Sequence, residues 1–119
     1  KNLLKNPIPG MFHCFAGNLD TLQKALNLGF YIGFDGNITY KGLAPGETVS
    51  LSELCKNTPL ERIVIETDAP FLTPEPYRSG RNEPSYVIIT GAKIAEIKAI
   101  SKKDLDSITT QNAKQIFNI

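Results

Sequence analysis

Ile63-Val64-Ile65-Glu66-Thr67-Asp68-Ala69-Pro70-Phe71 passes from a β-branched apolar triplet directly into two acids and a proline. The triplet reads as a buried strand of a parallel sheet. Pro70 has no N–H to offer a neighbouring strand and ends the pairing. Alternation along the strand puts Val64, Glu66 and Asp68 on one face. Polar side chains at the carboxyl end of such a strand stand where α/β folds place their chemistry. A second reading makes Asp68 the cap of the turn that Pro70 begins.

Two strand–helix units precede this stretch. Met11 to Phe15 is a short apolar run between Gly10 and Gly17 and reads as a strand. Asn18 caps the next helix, whose apolar positions are Leu19, Leu22, Ala25 and Leu26, and Gly29 ends it. Phe30 to Phe34 is the second strand, with Gly33, Asp35 and Gly36 marking its end. After a Gly- and Pro-containing loop, Ser50 and Glu53 have the spacing of a capping box for a short helix that Pro59 stops.

A long loop follows Asp68, with Pro70, Pro74, Pro76, Arg78, Gly80 and Arg81. Pro84 then suits a helix start, and the next helix carries Val87, Ile88, Gly91, Ile94, Ala95 and Ile97. Ser101 and Asp104 open a last helix with Leu105, Ile108, Ala113, Ile116 and Phe117 inward. The order β-α-β-α-β-α-α predicts a parallel sheet in one small domain over residues 1–119.

Three parallel strands leave two open edges. The same units make sense as the last three of an eight-unit barrel, which needs about 250 residues. The start at Lys1 rather than Met also suggests a fragment or a processed chain. A homo-oligomer covering the open edges is the alternative.

Charge and cysteine usage narrow the function classes. A formal net charge of +1 supplies no global field for nucleic acid, so any such contact is local or metal-mediated. Cys14 and Cys55 lie in no zinc-type spacing; they are two buried thiols or one disulfide. No stretch is apolar enough to span a membrane and no signal-peptide pattern is present. The expected setting is the cytoplasm, or the nucleus in a eukaryote.

His13 is the single histidine, and period two places it with Met11 and Phe15, with Cys14 facing away. It is either a core histidine or a metal ligand or base at a strand end. His13 and Asp68 together would suit a divalent ion, but two ligands fall short of the three a catalytic zinc needs. Glu66 reads as structural support for the Asp68 loop. Arg78, Arg81 and Asn82 either bind a phosphate or tie the loop to backbone carbonyls. Phe71 and Tyr77 could stack on a base or cover the rim.

Phe12-His13-Cys14-Phe15-Ala16-Gly17, Glu66-Thr67-Asp68-Ala69-Pro70, Arg81-Asn82-Glu83-Pro84 and the closing Ile108 to Phe117 segment together resemble the TatD family of metal-dependent deoxyribonucleases. The resemblance implies a TIM-type (β/α)8 barrel of the amidohydrolase-like kind, with these units as strands six to eight. It implies two divalent metals, Mg, Mn or Zn, at the carboxyl face and hydrolysis of DNA ends. His13 matches a ligand of one metal. Asp68 matches a ligand of the other and a proton acceptor for the attacking water. Arg81 and Asn82 match a segment that contacts substrate. The family's H-x-H, a glutamate and a second histidine belong to strands that this chain does not contain, so the chain by itself is expected to be weak or inactive. A non-catalytic half-barrel and a barrel hydrolase acting on C–N bonds are the competing readings.

Overall fold

The computed structural model describes residues 10–43 and 45–119. Its elements are β1 (Met11–Phe12), α1 (Leu19–Asn27), β2 (Tyr31–Phe34), α2 (Leu51–Lys56), β3 (Ile63–Ile65), α3 (Val87–Lys98) and α4 (Lys102–Phe117). Short 3-10 turns at Gly36–Thr39, Leu60–Arg62 and Pro84–Tyr86 lead into or out of them. The strands form one parallel sheet in the order β1-β2-β3.

The helix starts follow the capping chemistry. Asn18 Oδ1 accepts the Thr21 N–H at 2.8 Å, Ser50 Oγ that of Glu53 at 3.1 Å, and Ser101 Oγ that of Asp104 at 3.0 Å. Only half of the Ser50 box forms, because the Glu53 carboxylate accepts from the Asn57 amide instead. Gly29 closes α1 at a φ of 90°, where a side chain would be strained.

The pleat divides the sheet into two faces. Ile32, Phe34 and Ile63 join Leu22, Ala25, Leu54, Ile94 and Leu105 in one core beneath the helices. Gly33 and Asp35 of β2 and Val64 and Glu66 of β3 belong to the opposite face. The register pairs Gly33 with Val64 and Phe34 with Ile65, which sets Asp35 beside Glu66.

Three expectations need correction. The first strand stops at Phe12, because Glu66 Oε2 accepts the Cys14 N–H at 2.9 Å and the backbone turns there, with Cys14 at a φ of 51°. Period two therefore fails beyond His13. The third helix buries Thr90, Gly91, Ile94 and Ala95, and Ile88 is exposed. The last helix buries Leu105, Thr109 and Asn112, and Phe117 is exposed. Asn112 displaces an apolar residue inward because its amide donates to the carbonyls of Leu60 and Ile63 at 2.9 and 2.8 Å. Among the described residues no helix is long and apolar enough to cross a membrane.

Candidate active site

β3 releases the chain at Ile65, and the next three residues are shaped by the loop after it. Asp68 takes a φ of 55°, a conformation Asp tolerates better than most residues. Thr67 Oγ1 accepts the Ala69 N–H at 3.3 Å. Asn82 reaches back from the far end of the loop and donates to the carbonyls of Thr67 and Phe71, both at 2.7 Å. It is 2% exposed. Of the two readings of Asn82, substrate contact or a tie to backbone carbonyls, its contacts are those of the second: its amide hydrogens go to the backbone that holds Asp68. Arg81 is exposed and lines a shallow depression with Ala69, Pro70 and Glu83.

His13 and Asp68 come together. The Nδ1–H of His13 donates to Glu66, and its Nε2 lies 3.8 Å from Asp68 Oδ1. A carboxylate only accepts, so Nδ1 carries a proton, and in the neutral ring the lone pair is then on Nε2, the nitrogen nearer Asp68. The Glu66 side chain is 11% exposed, that of His13 63% and that of Asp68 37%. Glu66 is the buried footing, and the other two open to solvent. Glu66, expected to support the Asp68 loop, instead orients the histidine and caps the Cys14 N–H.

The route of Glu66 to His13 exists because position 33 is glycine. A Cβ there would lie 1.8 Å from Glu66 Oε2 and 2.6 Å from Met11 Cε. Along the sequence Gly33 reads only as the mark of a strand end.

A further acid, Asp35, reads along the sequence only as a mark of the end of the second strand, yet it belongs to this cluster. Asp35 is 1% exposed, and among the described residues neither of its oxygens has a hydrogen-bond partner. Burial, then the charge of Glu66, pushes its carboxyl up to about 6. The one signal available was its position, two residues after Gly33 on the same face. Cys14 also belongs to this neighbourhood rather than facing away from it. Burial, and then Asp35, Asp68 and Glu66, push its thiol up to about 12, which keeps it protonated and a poor nucleophile. Cys14 and Cys55 are both free thiols.

The fit to a metal is partial. An imidazole nitrogen and a carboxylate oxygen side by side, with the other ring nitrogen on a buried carboxylate, are the donor chemistry of a divalent-metal ligand pair. Among the described residues no three His, Cys, Asp or Glu side chains are arranged to hold one ion. The glutamate placement raises the pKa of His13, first through its charge and then through the hydrogen bond.

A parallel sheet backed by helices, with this acid–histidine cluster at the carboxyl ends of its strands, defines part of a TIM-type barrel. The profile of the family described as TatD related DNase matches residues 1–118, and the chain belongs to that family.

Over 112 residues the chain is 41% identical to YabD of Bacillus subtilis, named an uncharacterized metal-dependent hydrolase, covering 94% of this chain and 42% of that one. It is 35% identical over 119 residues to a Klebsiella pneumoniae protein named 3'-5' ssDNA/RNA exonuclease TatD, covering 94% and 43%. The crystal structure of YjjV, a TatD homologue from Escherichia coli, has the same fold, with a TM-score of 0.80 at 24% identity over 92% of this chain and 40% of that one. The chain thus spans about two fifths of the length of the relatives it matches.

Proposed function

We propose that this chain supplies one side of a metal-dependent phosphodiesterase centre that removes nucleotides from the ends of DNA or RNA strands. The observation that carries the reading is His13, held by Glu66 through Nδ1 and turned so that Nε2 stands 3.8 Å from Asp68. The family description and the name of the Klebsiella relative support the choice of substrate.

His13 and Asp68 would each supply a ligand to divalent metal. Bound there, such an ion supplies Lewis acidity, polarising a phosphoryl oxygen and bringing the pKa of water toward neutrality. Glu66 keeps the imidazole in one tautomer and one orientation. The solvent-facing Asp68 carboxylate orients the attacking water and accepts its proton. Asn82 and Thr67 hold the Asp68 backbone in its left-handed conformation while this happens. In this reading the three strands are strands six to eight of the barrel. The remaining ligands come from parts of the site beyond these residues, so the chain by itself turns over weakly or not at all.

The test is a Mn²⁺ titration of the chelator-stripped chain, followed by end hydrolysis of labelled single-stranded DNA with Mg²⁺, Mn²⁺ or Zn²⁺. His13→Ala and Asp68→Ala are run beside it. Each variant is expected to bind Mn²⁺ at least about tenfold more weakly, and any hydrolysis is expected to vanish in Asp68→Ala. Mn²⁺ affinity unchanged in both variants, or turnover that survives Asp68→Ala, would overturn the assignment.

A further inference from the structure

A cavity of about 320 Å³ opens between the turn after β2 and the loop after β3. Part of its lining comes from the three loops that carry the active-site residues. Ala16 and Gly17 follow His13, Asn37 follows Asp35, and Leu72 follows Asp68. The lining also includes Tyr40, Lys41 and Arg78.

The Arg78 guanidinium lies over the Tyr40 ring, its carbon 3.6 Å from the ring centroid. Tyr40 is itself fixed, its hydroxyl donating to the Thr73 carbonyl at 2.8 Å. Thr73 Oγ1 donates to the Gly80 carbonyl at 2.8 Å, and Thr39 Oγ1 accepts the Glu75 N–H at 2.8 Å. The loop bearing Arg78 is therefore clasped to the turn bearing Tyr40 before any ligand arrives, so little ordering remains to oppose binding.

Stacking occupies the face of the guanidinium and leaves its N–H edge for a planar or tetrahedral anion. Among the described residues no carboxylate lies within ion-pairing distance of Arg78 or Lys41. Among the described lining residues Glu47 is the one carboxylate, and the two cations Lys41 and Arg78 against it leave the lining net positive. Leu51, Leu54 and Leu72 give the cavity an apolar side. Its volume falls at the lower end of small-ligand sites, the scale of a single nucleotide.

We propose that this cavity is a nucleotide subsite of the adjoining centre, in which the Arg78 guanidinium, stacked on Tyr40, takes a phosphate of the strand and Lys41 adds a second positive charge. The proposal rests on the phosphodiesterase reading, because it assigns the ligand as the strand being cut. It makes the clasped loop a binding element that acts without metal.

Binding and cleavage can therefore be separated. The probe is a short fluorescein-labelled oligothymidylate, followed by fluorescence anisotropy in EDTA, where metal-dependent cleavage is blocked. Wild type is compared with Arg78→Ala, Arg78→Lys and Lys41→Ala across a salt series. Arg78→Ala is expected to weaken binding about tenfold and to flatten the plot of log affinity against log salt by about 0.7, one phosphate contact on a single strand. Arg78→Lys should restore the salt slope but only part of the affinity, since an ammonium cannot stack and bind bidentately.

Equal affinity and slope in wild type and Arg78→Ala would overturn the subsite and leave the hydrolysis reading standing, as would a wild type that does not bind at low salt. Arg78-dependent binding by a protein whose Mn²⁺ affinity is unchanged in both His13→Ala and Asp68→Ala would sink the hydrolysis reading alone. Arg78 and Lys41 are exposed, so loss of fold is a small risk, and Lys41→Ala provides a second removal of charge.

Discussion

Gly33 and Glu66 share one volume: a methyl group at position 33 would sit 1.8 Å from the Glu66 carboxylate. The absent side chain is what lets Glu66 cross the sheet face and take His13. Gly33→Ala is therefore expected to displace Glu66 and release the imidazole. Loss of such an orienting partner typically costs about 10- to 100-fold in metal affinity. Glu66→Gln, which keeps the shape but not the charge, should fall at the mild end. Mn²⁺ titration, together with the His13 Nδ1–H resonance by NMR, would check both; an unchanged resonance in Gly33→Ala would contradict the geometry.

The same contact sets a pH dependence. Glu66 favours the imidazolium, so the His13 pKa stands above 6.5 in the metal-free protein. Metal requires the neutral ring. Apparent metal affinity is expected to rise with pH by about tenfold per unit below that raised pKa and to level off above it. In Glu66→Gln the plateau should begin at lower pH. Isothermal titration at several pH values would show the shift, and coincident curves would refute it.

Asp35 predicts a stability effect of the opposite kind from a salt bridge. Its carboxyl is raised from 3.8 to about 6 on folding, chiefly by burial and then by Glu66. Between those values the folded state holds a proton that the unfolded state has lost, so stability is fullest below about pH 4 and falls as pH rises through about 6. A shift of that size corresponds to at most about 3 kcal/mol. Asp35→Asn should flatten the profile in EDTA and raise stability at pH 7 by about 1–3 kcal/mol. Urea unfolding at pH 4.5 and pH 7 in EDTA would test it. Parallel profiles for the two proteins would count against it.

Asn112 gives a prediction remote from the site. Its buried amide satisfies the carbonyls of Leu60 and Ile63, just where β3 begins. Asn112→Ala would leave both without that partner, at an expected loss of about 1–3 kcal/mol. Chemical denaturation would measure the loss, and a change under about 0.5 kcal/mol, the usual range for neutral surface substitutions, would show the carbonyls are satisfied otherwise.

Much of this protein was determined by local chemistry. The order of strands and helices follows from apolar runs and their punctuation. Asn18, Ser50 and Ser101 cap helices because their side-chain oxygens meet an N–H three residues on, a contact that sequence spacing alone sets up. His13 and Asp68 were legible as neighbours, since each follows a strand in a motif with family character.

What the tertiary structure decided is the work of the residues between them. Glu66, Gly33 and Asp35 are far apart in sequence from His13, and nothing local distinguishes a glycine that ends a strand from one that makes room for a carboxylate. Pairing of Gly33 with Val64 brings them to one face. The capture of the Cys14 N–H by Glu66 then ended β1 earlier than its apolar run predicted. For Asn82 two readings stood open along the sequence, and the fold of the loop, which brings its amide onto the carbonyls of Thr67 and Phe71, chose the one that ties the loop to its own backbone. Capping and periodicity act over three or four residues and can be read along the chain. Register and burial are set by contacts across the sheet and exist only once the strands have paired.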